Sequence, residues 1–256
     1  MDGLMKGKRG LIMGIANDHS IAWGMARTLH AHGAELAFTF QGDALGKRVK
    51  PLAESLGVEL VLPCDVEDIA SVDATFAALR EKWGKLDFVI HAIGFADKNE
   101  LKGRYADTSR ENFSRTMVIS CFSFTEVAKR AAELMTEGGS MVTLTFGASE
   151  RAMPNYNVMG VAKAALEASV RYLAADFGPR GIRVRRPHPH ARRLGYWRGA
   201  RDVRLHAKTF AAPPRRHTGR ARRFGALPVV GSLRRRHRRN PLRRFRLQHR
   251  PDAEAG

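Results

Sequence analysis

The chain has 256 residues, 44% of them hydrophobic, which is enough for one large domain with a sizeable core. It has no apolar run of 18 residues and no apolar leader that ends in small residues. We therefore expect neither a membrane span nor a secretory signal, and a cytoplasmic location. Its two cysteines, Cys64 and Cys121, are too few for a disulfide framework or a four-ligand zinc site, and we expect no metal centre.

The net charge of +19 is confined to the last part of the sequence. Residues 1–184 contain 22 basic and 22 acidic side chains, whereas residues 185–256 contain 22 basic and three acidic ones. Arginine accounts for 21 of the 22 basic residues in this last segment. The composition therefore divides the chain at Val184 into a domain of residues 1–184 and an arginine-rich segment of residues 185–256.

Short apolar runs alternate with helical patterns throughout the first domain. We predict strands at 10–13, 35–40, 58–63, 86–92, 140–145 and 182–184, and helices at 21–32, 43–56, 69–83, 110–135 and 155–177. The strands are apolar throughout, as is typical of parallel strands covered on both faces. The alternation predicts βαβ units and an α/β fold with a doubly wound, Rossmann-like parallel sheet.

The ends of the first three strands carry candidate nucleotide-binding residues. The turn from Gly14 to Gly24 is rich in small residues, which allow backbone amides to approach a pyrophosphate at a helix N-terminus, although its spacing is not GxGxxG. Gln41 ends the second strand, where a ribose-binding acidic residue is usual, and Asp65-Val66 follow the third. From position alone, an ordinary turn, a solvated glutamine and a helix N-cap explain these residues about as well.

The fourth strand leaves the sheet through the segment His91-Ala92-Ile93-Gly94-Phe95-Ala96. Ligands of doubly wound sheets bind outside the carboxyl ends of the strands, so this exit of mostly small residues suits a cofactor that lies over it. We interpret His91 as a structural histidine.

Tyr156 and Lys163 are the candidate catalytic pair. Seven residues at 100° each bring two side chains of one helix back to nearly the same face. An ammonium beside a phenol stabilises the phenolate, so Tyr156 would donate to a developing oxyanion with Lys163 as its electrostatic support. Taken alone, Lys163 is explained somewhat better by a surface position on an amphipathic helix.

Together these stretches resemble the bacterial NADH-dependent enoyl-acyl-carrier-protein reductases, a branch of the short-chain dehydrogenase/reductase superfamily. The resemblance covers residues 3–184, and its most specific part is PNYNVMG at 154–160 followed by Lys163. Typical members of the superfamily have Tyr-x3-Lys, whereas the enoyl reductases have Tyr-x6-Lys, as does this chain.

The resemblance implies an enzyme of fatty acid biosynthesis. It implies hydride transfer from NADH to a trans-2-enoyl thioester on acyl carrier protein, by a homotetramer. The implied cofactor contacts are Gly14, Ser20, Ile21, Gln41, Asp65, Val66, Ile93 and Lys163. Tyr156 and Lys163 are the implied catalytic residues, and Ala96 and Tyr156 are the implied substrate contacts. A second tyrosine common in the family falls on Phe146, which has no hydroxyl.

The arginine-rich segment, residues 185–256, is interpreted as an out-of-frame translation. Frame slips in GC-rich DNA yield arginine, proline and histidine but little lysine. With suitable synonymous codons, residues 223–233 read one base later give GSALYLLSDL, which resembles the C-terminal part of the same reductases. We expect the segment to be disordered, the family's last strand and substrate-covering helices to be absent, and activity to be impaired. The alternative is a genuine basic tail.

Two other functions stay open at this point. Another short-chain reductase, such as a ketoacyl reductase, would share the fold, but the Tyr-x6-Lys spacing argues against it. A nucleic-acid-binding protein would act through residues 185–250, yet that segment has few aromatic residues for base stacking. We expect no nucleic-acid or membrane partner.

Overall fold

The computed structural model describes residues 3–186. In this range the strands are β1 (Arg9–Met13), β2 (Glu35–Phe40), β3 (Leu60–Pro63), β4 (Phe88–His91), β5 (Gly139–Thr143) and β6 (Ile182–Arg185). The α-helices are α1 (Ile21–Ala31), α2 (Gly42–Glu54), α3 (Ile69–Trp83), α4 (Arg110–Met117), α5 (Ser123–Leu134) and α6 (Asn157–Phe177). The proposed disorder of residues 185–256 concerns a segment that lies outside the described residues, apart from Arg185 and Arg186.

The described strands form one parallel sheet in the order β3-β2-β1-β4-β5-β6. Leu11 of β1 pairs with Ala37 of β2 on one side and with Val89 of β4 on the other. The chain order reverses between β1 and β4, and ligands of such sheets bind at this point, outside the carboxyl ends of the strands. The predicted doubly wound α/β fold is confirmed.

Apolar side chains cover both faces of the sheet. Along each strand successive side chains point to opposite faces, so Leu11 and Val89 pack with α3, α5 and α6, whereas Ile12 and Ile90 pack with α1. All four of these side chains are fully buried. This double burial explains why the strands read as continuous apolar runs, and it fixes the strand ends that carry the site.

The predicted helix at 110–135 is not continuous. Residues Val118–Phe122 form a π-helical turn between α4 and α5. Two serines account for this turn: the Ser120 hydroxyl lies 2.8 Å from the carbonyl oxygen of Phe95, and the Ser123 hydroxyl lies 3.0 Å from Nε2 of His91. Both serines of this turn therefore contact β4 or its exit, and such single π-helical turns occur frequently at functional sites.

The helix that carries Lys163 begins later than predicted. Asn155 has a left-handed backbone, with φ of 60°, and Tyr156 is the N-cap residue of α6. The prediction that Tyr156 and Lys163 lie within one helix is therefore wrong, because the helix starts one residue after the tyrosine. At the other end of the domain, β6 runs one residue beyond Val184, to Arg185.

Candidate active site

The close approach of β1 and β4 requires a glycine at position 14. Gly14 has φ of +90°, and a Cβ atom built on it would lie 2.3 Å from the carbonyl oxygen of Ala92. A side chain would therefore push the first turn away from the exit of β4. The backbone amides after β1 stay close to the sheet, as a bound pyrophosphate needs.

The N-terminus of α1 provides the second part of a phosphate site. Ser20 is the N-cap residue, but its hydroxyl donates to the carbonyl oxygen of Asn17 at 2.7 Å and makes no cap bond to the helix. The first turn of α1 contains no acidic residue. The positive end of the helix dipole is therefore not neutralised locally, which suits an anion. The side chain of Ile21 is 44% exposed.

A cleft of about 340 Å³ opens at the carboxyl ends of β1, β2, β3 and β4. Five of the residues that the sequence predicts to bind the cofactor line this single cleft: Gly14, Gln41, Asp65, Val66 and Ile93. The other predicted cofactor contacts, Ser20, Ile21 and Lys163, and the predicted substrate contacts Ala96 and Tyr156 lie outside its lining. In a doubly wound sheet the end of the second strand binds the ribose next to adenine, so the position of the cleft fits the predicted adenosine half of a dinucleotide site.

A hydrogen bond joins the two polar predicted residues of the cleft. Nε2 of Gln41 donates to Oδ2 of Asp65 at 3.1 Å, and Oδ1 of Asp65 accepts from the backbone amide of Glu67 at 2.9 Å. The N-cap residue of α3 is Asp68, whose side chain accepts from the amide of Ala70. The alternative explanation of Asp65 as a helix N-cap is therefore wrong. A neutral amide and a carboxylate oriented in this way can both bond ribose hydroxyls.

Lys163 is buried beside this cleft and not on the surface. Its side chain is 8% exposed, and Nζ donates to the carbonyl oxygen of Ile93 at 3.1 Å. Burial lowers the pKa of Lys163 to about 8, against a weaker opposing effect of Cys121. The surface alternative for Lys163 is wrong. The ammonium has three donors, so it can bond ligand hydroxyls as well as Ile93.

Tyr156 lies at the start of α6 with its ring stacked on Phe146. The two ring centroids are 4.5 Å apart and the planes are inclined by 29°. Tyr156 is 37% exposed. Phe146 thus orients the phenol by packing, even though it lacks the hydroxyl that many family members carry there.

His91 behaves as a structural residue, as the sequence suggests. It is fully buried, and Nδ1 lies 3.1 Å from Thr143 Oγ1 while Nε2 lies 3.0 Å from Ser123 Oγ. The Ser123 hydroxyl donates to Ile119 O, so its oxygen accepts from Nε2–H, and Nδ1 accepts from Thr143. Burial, with a smaller contribution from the charge of Lys163, lowers the pKa of His91 to about 3.

Comparison with known proteins gives the family. The sequence model described as enoyl-(acyl carrier protein) reductase matches residues 14–227. The chain belongs to this enoyl reductase family. Enoyl-acyl-carrier-protein reductase (NADH) 2 of Rhizobium meliloti (strain 1021) is 78% identical over 184 residues, which are 72% of this chain and 69% of that protein.

Solved enoyl reductases share the fold. FabI from Candidatus Liberibacter asiaticus is 57% identical with a TM-score of 0.72, covering 73% of this chain and 72% of that one. The reductase of Anaplasma phagocytophilum, solved in complex with NAD, is 58% identical with a TM-score of 0.71, covering 73% and 71%. The resemblance stated from the sequence is confirmed at the level of the family, while the roles of the individual site residues stay predictions.

The enoyl reductase cleft also contains residues that the sequence did not single out. Glu67, Arg115 and Ile119 all line it. Arg115 and Ile119 come from the middle of a long helical pattern, where no local motif marks a binding residue. Ala96, predicted to contact substrate, is buried with 7% exposure directly after Phe95.

Two kinds of feature are absent from residues 3–186. No group of three or more metal-ligating side chains occurs there. No helix in that range is long and apolar enough to cross a membrane.

Proposed function

We propose that this chain is by descent an NADH-dependent enoyl-acyl-carrier-protein reductase of fatty acid biosynthesis. The observation that carries the proposal is the bond between buried Lys163 and the carbonyl of Ile93 at the edge of the nucleotide cleft. This bond ties the helix that follows Tyr156 to the strand exit over which the cofactor lies. The Tyr-x6-Lys spacing favours an enoyl substrate over a ketoacyl one.

The residues of the chain fit the cofactor. Gly14 and the N-terminus of α1, with Ser20 and Ile21, would hold the pyrophosphate, while Gln41 and Asp65 would hold the adenosine ribose. Bound NADH supplies the hydride that adds to C3 of a trans-2-enoyl thioester.

The Tyr156 hydroxyl would donate a hydrogen bond to the thioester oxygen as negative charge develops there. Lys163 would bond the ribose hydroxyls with its remaining donors and stabilise that charge electrostatically. Because Phe146 holds the ring of Tyr156 by stacking, little reorganisation is needed when the substrate arrives.

The proposed partner is acyl carrier protein with its enoyl chain, and the proposed state is a homotetramer in the cytoplasm. Ala96 is the proposed substrate contact on the exit of β4. These assignments follow from the family, and we propose no nucleic-acid partner.

We also propose that residues 185–256 are out of frame, so that the chain as written lacks the family's substrate-covering elements. A matched chimera tests both proposals: residues 1–184 of this chain are joined to the C-terminal part of the Rhizobium meliloti relative. We expect the chimera to oxidise NADH with crotonyl thioester and not with acetoacetyl thioester. Preference for acetoacetyl thioester would assign a ketoacyl reductase, and activity with neither would contradict the proposed function.

A further inference from the structure

Arg115 of α4 and Glu67, in the loop after β3, form a bidentate ion pair at the rim of the nucleotide cleft. Nε of Arg115 donates to the two carboxylate oxygens at 2.9 and 3.2 Å, and Nη2 donates to Oε2 at 2.9 Å. Paired donors of this kind fix orientation as well as distance. The pair thus joins two segments that are 48 residues apart in sequence.

A third segment completes this arrangement. The guanidinium carbon of Arg115 lies 4.6 Å from the ring centroid of Phe95, in a cation–π contact. Phe95 itself is held in place, because its amide donates to Ser120 Oγ at 2.8 Å and its carbonyl oxygen accepts from the same hydroxyl at 2.8 Å. Arg115 therefore packs against the ring of Phe95, and the backbone of Phe95 is hydrogen-bonded to Ser120 in the π-helical turn.

The sequence neighbours of the bridge are apolar and line the same cleft. Val66 directly precedes Glu67, and Ile119 follows Arg115 by four residues, about one helical turn. The two side chains are nearly buried, with exposures of 6% and 7%. An ion pair that fixes the distance between Glu67 and Arg115 also limits the distance between these two apolar side chains.

We propose that the Arg115–Glu67 bridge sets the width of an adenine slot between Val66 and Ile119. A flat purine gains most when both of its faces contact apolar groups, so a slot of fixed width binds it better than two independent walls. Arg115 and Glu67 act as positioning residues through their neighbours. The inference rests on the proposed function, since it assigns the adenosine half of NADH to this cleft.

An ordinary surface ion pair is the competing explanation. Such pairs contribute little to stability, and their removal affects all ligands equally or none. The structure contains a matched pair of this kind: Nη2 of Arg80 lies 3.0 Å from Oε2 of Glu133, between α3 and α5 and away from the nucleotide cleft. Its arginine side chain is 59% exposed, against 51% for Arg115.

The test is calorimetric titration of the full chain with ADP-ribose, which carries the adenosine half of the cofactor, and with NADH. We expect Arg115→Ala and Glu67→Ala each to weaken ADP-ribose binding about five-fold, the affinity equivalent of roughly 1 kcal/mol. The double variant should bind no more weakly than either single variant, because the two residues act as one unit. Arg80→Ala should bind like the parent.

Thermal unfolding of the ligand-free variants separates positioning from folding. We expect Arg115→Ala and Arg80→Ala to melt within a few degrees of each other, so that only the affinity distinguishes them. Unchanged ADP-ribose affinity in Arg115→Ala, or additive losses in the double variant, would overturn the inference and leave the proposed function intact. A parent chain that binds neither NADH nor ADP-ribose would overturn both.

Discussion

At the scale of single residues, Lys163 is placed where it costs stability. The pKa of Lys163 in the folded chain is about 8, below the value of 10.5 for a solvated lysine in the unfolded chain. Between these two pH values the unfolded chain therefore binds more protons than the folded one. Stability contributed by this group therefore rises with pH from 8 to 10.5. Below pH 8 the buried ammonium carries its full cost, about 3 to 4 kcal/mol at 1.4 kcal/mol per pKa unit.

We expect Lys163→Met to stabilise the ligand-free chain at pH 7. Removal of the buried charge outweighs the lost hydrogen bond to Ile93, which contributes about 1 kcal/mol, so the net gain should be about 2 to 3 kcal/mol. Urea unfolding at a series of pH values measures it, and the gain should disappear as the pH approaches 10.5. Lys129→Met, on the exposed face of α5, is the control. A loss of stability in Lys163→Met at pH 7 would show that the charge is well solvated.

Tyr156 should matter for rate more than for binding. In the chimera described above, we expect Tyr156→Phe to lower kcat by about 100-fold or more with little change in KM, because the hydroxyl bonds an oxygen that becomes negative only in the transition state. Tyr172→Phe is a matched control, since that phenol lies on the same helix and is 75% exposed. Equal kcat values for Tyr156→Phe and the parent chimera would remove Tyr156 from the chemistry.

We expect Gln41 and Asp65 to favour NADH over NADPH. The amide of Gln41 brings no positive charge to a ribose 2′-phosphate, and the Asp65 carboxylate bonded to it would repel one. We expect NADPH to bind at least about ten-fold more weakly than NADH. The difference in affinity should be smaller in Gln41→Arg, because the added positive charge attracts the 2′-phosphate. Fluorescence titration with both cofactors measures this. Tighter binding of NADPH by the parent would contradict the assignment of Gln41.

At the scale of elements, some boundaries can be predicted from the sequence alone. Helix α3 is predicted at its observed limits because Asp68 caps its start and Gly84, with φ of 67°, ends it. The break between α4 and α5 could not be predicted, because the contacts of Ser120 and Ser123 there are with Phe95 and His91, which are distant in sequence. For the same reason Arg115 could not be predicted as a cleft residue, since its partner Glu67 is 48 residues away in sequence.

The first turn also shows how an element constrains a residue. We expect Gly14→Ala to lower the free energy of unfolding by more than about 2 kcal/mol, because it combines a left-handed backbone with a clash against Ala92. Gly24→Ala is the control, since a Cβ atom there meets no other atom within 4 Å. Within α1 that change should stabilise the chain by up to about 1 kcal/mol. If chemical denaturation ranked the two variants the other way, the close approach of β1 and β4 would not be required.

At the scale of the whole molecule, the proposed active site depends on two parts of the chain with different compositions, the first domain and the segment that follows it. Residues 3–186 supply the cleft at the carboxyl ends of β1 to β4, together with the buried Lys163 of α6 and the stacked Tyr156 at its start. The family resemblance assigns the cover of the acyl chain and the last strand to the part that follows, which in this chain is the arginine-rich segment. We therefore expect the chain as written to keep nucleotide binding and to lose substrate turnover.

We accordingly expect the chain as written to bind ADP-ribose but to show no measurable turnover of crotonyl thioester, whereas the chimera binds the nucleotide and turns the substrate over. If residues 185–256 are out of frame, the chain as written should also melt at a lower temperature than the chimera, because the chimera's last strand and helices bury apolar surface at about 25 cal/mol per Å². Native domains have only about 5–15 kcal/mol of net stability, so the loss of this buried surface would be large compared with the free energy of unfolding. Parallel assays and melting curves of the two proteins decide the matter. Equal turnover by both would mean that residues 185–256 serve the reaction as they stand, and the frame interpretation would have to be abandoned.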